Sequence, residues 1–196
     1  MRSWTNANVE AIRKMTDRTD SGNEEDTVVV AGDKSLHQRV GRWLAASEWR
    51  YSESSDGNWY SMQVNLDCGS VRTIIDTETR DDEETVMIYC VFPVRVPEAR
   101  RIQVADFFSR LNHRAVLKSL QIDMADGEAR VLASMSQTAS AINDATLDRL
   151  LSLALRFADL AFAPMLSVAY GEVSASLANE RILAEAERAE SGLQLQ

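Results

Sequence analysis

Residues 97–136 read PEARRIQVADFFSRLNHRAVLKSLQIDMADGEARVLASMS, and this stretch decides the fold. Pro97 suits the first turn of a helix, where its missing N–H would have no partner anyway. An amphipathic run follows to His113. Val104, Phe108 and Leu111, with Ala105 and Ile102 beside them, form its apolar stripe. Val116–Met124 and Ala129–Met135 have strand composition, and Asp126-Gly127 between them is a favoured two-residue hairpin turn. The unit is helix, strand, turn, strand.

Upstream, three more strands are expected. Tyr60, Met62, Val64, Leu66 and Cys68 alternate with Ser61, Gln63, Asn65 and Asp67, so one face is buried and one wet. Cys68-Gly69-Ser70 turns the chain into the β-branched run Val71–Thr79. Arg80–Glu84 is an acidic hairpin loop leading into Thr85–Val96. That last run is apolar on both faces, which predicts a strand covered on both sides. Counting from the turns places Cys90 near Ile74 and far from Cys68. Both cysteines are therefore expected as free thiols rather than a disulfide.

A helix is expected from Ser35, whose spacing to Gln38 fits a capping box, with Leu36, Val40, Trp43, Leu44 and Ser47 on one side. Residues 52–58, SESSDGN, read as a loop. A last helix begins near Asp144 and carries a wide apolar face from Leu147 to Phe162, and Pro164 is expected to break or kink it. The fold class is α+β: one antiparallel-rich sheet in α-β-β-β-α-β-β-α order, with the helices packed on it.

The flanks differ from this core. Residues 1–33 carry 4 basic and 7 acidic groups and read as a flexible acidic arm. Within it Val9–Met15 is a candidate short helix, and Thr27–Ala31 a candidate strand or a sticky apolar segment. Residues 34–171 form the domain. Residues 172–196 read as an Ala/Glu-rich exposed helix or tail. No apolar run approaches the roughly 20 residues that cross a membrane, and the N-terminus has no secretory pattern. The expectation is a cytoplasmic protein with no membrane contact. A net charge of −9 argues against direct nucleic-acid binding.

Chemistry is sparse. No nucleophile motif, HExxH pattern or phosphate-binding glycine loop occurs, so no catalytic residue, cofactor or metal ligand is assigned. Asp81–Glu84 lacks the spaced oxygens of a calcium loop and reads as a solvated turn. His37 and His113 have no partner close in sequence and read as structural. Arg100, Arg110 and Arg114 lie along one flank of the second helix. They form either a solvated face or a docking strip for an acidic partner. Trp43, Trp49 and Trp59 cluster around the first helix and strand, as core packing or a peptide-binding groove.

The element order, together with certain residues, resembles the YbjN family, described as bacterial sensory transduction regulators. The likeness rests on Leu44–Tyr51, Val94-Arg-Val-Pro97, Phe108–Asn112, Leu120–Asp123, Asp126–Val131, and Asp159, Pro164 and Gly171. It covers residues 35–171. It implies a fold like that of type III secretion chaperones, a homodimer, and a non-catalytic module that binds other proteins. The alternative is a small-ligand-binding protein or enzyme using the sheet face.

Overall fold

The computed structural model describes residues 35–55, 57–138 and 141–193. The candidate helix Val9–Met15, the candidate strand Thr27–Ala31 and the rest of the acidic arm lie outside them. Helix α1 spans Leu36–Ala46, with Ser35 accepting a hydrogen bond from the Gln38 amide at 3.4 Å. It buries Leu36, Val40, Trp43 and Leu44. The predicted loop at 52–58 contains a two-residue strand, β1 (Ser52–Glu53), paired antiparallel to β2 (Trp59–Leu66). Strands β3 (Gly69–Arg80) and β4 (Glu83–Arg95) continue the meander. Helix α2 (Arg101–Asn112) follows a 3-10 turn at Glu98–Arg100. Then come β5 (Lys118–Ile122) and β6 (Glu128–Thr138), the long helix α3 (Asp144–Tyr170), and α4 (Ala175–Leu193). The six strands form one antiparallel sheet in the order β1-β2-β3-β4-β6-β5. The α+β class expected from the sequence is the observed one.

Several local expectations are corrected. Ile102 is 74% exposed, and Phe107 takes its place beside Val104, Phe108 and Leu111. The spacing explains this, because positions 104, 107, 108 and 111 share one helical face and 102 lies opposite. The β5–β6 connection is longer than a two-residue turn. The Asp123 amide bonds the Glu128 carbonyl at 2.8 Å, and the Gly127 amide closes back on the Asp123 carbonyl at 2.9 Å. Gly127 needs its φ of +77°, and a Cβ there would stand 2.2 Å from the Val96 carbonyl oxygen. That close approach lets the Val96 amide donate to the Gly127 carbonyl at 2.8 Å, docking the hairpin on the segment before α2.

Pro164 does not end α3, which runs 27 residues through it. Phe157, Ala158, Ala161 and Phe162 before the proline, and Met165, Val168 and Ala169 after it, are buried in the same core. Their packing outweighs the roughly 3 kcal/mol that an interior proline costs. Helix α3 begins at Asp144 as expected, and Asn143 caps it, accepting from the Thr146 amide at 2.9 Å. By length and composition α3 could also cross a membrane, contrary to the reading of the sequence; half of its most apolar window is buried inside the fold.

Helix α4 is not an exposed tail along its first half. Ala175, Ala178 and Ile182 are buried, and the helix packs on α2 and α3. Cys90 pairs with Thr73, one residue from the expected Ile74, because the β3–β4 turn is only Asp81-Asp82. Glu84 leaves that turn and is 5% exposed. It forms an ion pair with Arg39 of α1, so the acidic cluster is only partly solvated.

Candidate functional site

Alternation along the strands decides which side chains face the helices. Tyr60, Met62, Val71, Ile75, Val86 and Ile88 are buried on one face, under α1 and α3. Their neighbours point the other way, and among the described residues no helix packs there. The prediction that β4 is covered on both sides is therefore corrected, although its sequence is apolar on both.

The uncovered face is built in rows by the strand register. The central row runs Ser61, Ile74, Tyr89, Leu132 and Ser119. Above it stand Trp59, Asp76, Met87 and Ser134; below it stand Gln63, Arg72, Val91, Arg130 and Gln121. Trp59 is 37% exposed, while Ile74, Met87, Tyr89 and Leu132 are half-buried by one another. Arg130 lies over the Tyr89 ring, 4.9 Å from its centroid, and its Nε donates to Gln121 Oε1 at 3.0 Å. Such a surface, an apolar centre with charged ends, is suited to contact rather than catalysis.

Beside it, the outer edge of β2 is covered by β1 only at Tyr60 and Ser61. A groove of about 600 Å³ follows, lined by Trp49, Arg50, Tyr51, Met62, Gln63 and Arg72. The Trp49 indole N–H is buried and has no hydrogen-bond partner among the described residues.

The tryptophans expected to cluster are thus separated by role. Trp43 is 2% exposed, and its Nε1 donates to Asp148 Oδ1 of α3 at 2.7 Å, so it cannot touch a partner in the folded chain. Trp49 lines the groove, and Trp59 stands on the open face. The arginine flank is also divided. Arg100 donates to the Gly171 carbonyl and ties α2 to the end of α3. Arg110 is paired with Asp106 at 3.0 Å, and Arg114 is exposed past the end of α2.

Two side chains have surroundings that sequence spacing did not show. His37 stacks on Tyr60 with ring centroids 4.3 Å apart, and its Nε2 lies 2.8 Å from Glu53 Oε1. The Cys68 thiol sits in the β2–β3 turn, not in a strand, and donates to Asp159 Oδ1 at 3.0 Å. Burial and that carboxylate push the thiol up to about 12. Cys90, wholly inside, is pushed up to about 12 by burial. Both cysteines are free, and neither is an activated nucleophile. Asp67 is also raised, by desolvation and then by Asp159.

The family model YbjN, described as "Putative bacterial sensory transduction regulator", matches residues 37–167. A crystal structure of "YbjN, a putative transcription regulator from E. coli" aligns with 68% of this chain and 94% of its own, at 15% identity and a TM-score of 0.39. No curated protein matches the chain.

Proposed function

Because the chain belongs to the YbjN family, we propose that it is a regulatory module that works by binding protein, not by catalysis, in the cytoplasm and as a homodimer. The observation that carries this reading is the open face of the sheet. Apolar side chains of β3, β4 and β6 meet there around Tyr89, and Trp59 stands at the rim. A six-stranded sheet with an apolar patch on its uncovered side is a surface awaiting contact. Further partner contacts, chaperone-like or regulatory, fall to the β2 edge at Trp49 and to Arg114, which are separate from the patch.

The test is paired. Light scattering on the full chain at tens of micromolar measures self-association, and affinity capture from the native cell measures the partner. Dimer in the first, and a partner held by the wild type but lost on Trp49→Ala or Arg114→Glu in the second, support the reading. A monomer that captures nothing rejects it.

A second reading has one observation in its favour. The groove at the β2 edge presents Arg50 and Arg72, two cations that suit a small anionic ligand. A metabolite panel followed by thermal shift tests it: a ligand at 100 times its Kd adds about 2.7 kcal/mol of stability. No shift with any carboxylate or phosphate rejects it.

A further inference from the structure

We propose that the open sheet face is where a second copy of this chain docks, face to face, about a two-fold axis lying along the row Ser61–Ile74–Tyr89–Leu132. This deepens the homodimer reading above and rests on it. The argument is one of charge. Arg72 and Asp76 flank Ile74 on β3, two residues to either side and on the same face. Four strand residues separate them by about 13 Å, too far to meet within one chain. Neither takes part in an ion pair among the described residues. Arg130, by contrast, already has Gln121 and the Tyr89 ring.

Two in-plane axes would stack two copies of this face. An axis parallel to the strands through β4 exchanges β3 with β6 and sets Arg72 against the other copy's Arg130, like charge on like. An axis across the strands reverses strand direction and keeps each strand over itself. Arg72 of each copy then meets Asp76 of the other, forming two ion pairs. Val91 meets Met87, and Ile74, Tyr89 and Leu132 each meet themselves. An isologous contact of this kind needs a self-complementary patch, and only the second axis supplies one. Two sheets stacked this way stand about 10 Å apart with their side chains interleaved.

The test uses the full chain. Arg72→Asp and Asp76→Arg are each predicted to weaken self-association at least tenfold in sedimentation, with far-ultraviolet circular dichroism unchanged. An equimolar mixture of the two variants restores the dimer, because one copy then carries two acids and the other two arginines. Independently, Ile74→Cys in a Cys68→Ser background forms a covalent dimer on oxidation, and Gln63→Cys in that background does not. If both charge variants dimerise as tightly as the wild type, or Ile74→Cys fails to cross-link, this interface is overturned while the homodimer reading stands. A wild-type chain that is monomeric at tens of micromolar overturns both. A chain that dimerises only after removal of residues 1–33 assigns the face to the acidic arm and overturns the inference as well.

Discussion

At the scale of single residues, several polar side chains are matched across elements far apart in sequence. Cys68 and Asp159 are 91 positions apart, yet the thiol donates to the carboxylate, and the Cys68 amide also lies 3.3 Å from it. A thiol titrating at about 12 holds roughly a thousandfold less thiolate at pH 8 than one at the usual 9.0. Iodoacetamide should therefore label folded protein very slowly at both cysteines, and Asp159→Asn should speed Cys68 at least tenfold while leaving Cys90 inert. Equal rates at Cys68 in the two proteins would refute this. The linkage has a definite sign. Both thiols hold their proton more tightly folded than unfolded, so their contribution to stability is complete below pH 9 and falls as pH rises towards 12. Urea midpoints measured at pH 7.5 and pH 10 should show the decline. The Arg39–Glu84 pair, with side chains 18% and 6% exposed, makes a second case. Arg39→Met leaves a buried carboxylate without its cation and should cost about 3–5 kcal/mol, read from the same urea titration.

At the scale of elements, packing overrides local rules where the two conflict. Pro164 shows it, because α3 continues through a residue that removes a hydrogen bond. Pro164→Ala should accordingly raise stability by about 1–3 kcal/mol in urea denaturation; an unchanged midpoint would mean that the ring itself packs. Gly127→Ala should act oppositely, costing about 2–3 kcal/mol through positive φ and the clash with the Val96 carbonyl. These cases mark how far the sequence could be read. The period of two in Tyr60–Leu66 predicted burial correctly because sheet geometry alone sets it. The Ser35 cap and the Leu36–Leu44 stripe were legible for the same local reason. Glu84, His37 and Asp148 were not, since their partners lie 45, 16 and 105 positions away. The open face was hidden for another reason. Ile74, Met87 and Tyr89 made their strands look covered on both sides, and a side chain that waits for a partner has the same composition as one already buried. Of the residues proposed for binding, Trp59 stands on that face and Trp49 beside its edge, while Trp43 and Arg100 hold the core and the helix ends.

At the scale of the whole molecule, α1 and α3 lie on one face of the sheet, and α4 packs on α2 and α3 instead of trailing from them. The Ala/Glu-rich composition of residues 172–196 suggested an exposed helix or tail. The structure argues otherwise. Ala175, Ala178 and Ile182 place small and apolar side chains at helical spacing against α2 and α3. Burying one isoleucine and two alanines, and covering what they touch, contributes about 3 kcal/mol or more. Ending the chain at Gly171 should therefore lower the melting temperature by about 6–12 °C for a chain of this size, with the secondary structure of the remaining elements retained in circular dichroism. Ending it after Ile182 should restore most of the loss, because the residues in contact are then present. If the short form melts with the full chain, α4 is a dispensable attachment. If only the form cut at Gly171 is weakened, the acidic segment beyond Ile182 is the part left for partners, and the core domain runs past its expected boundary at residue 171.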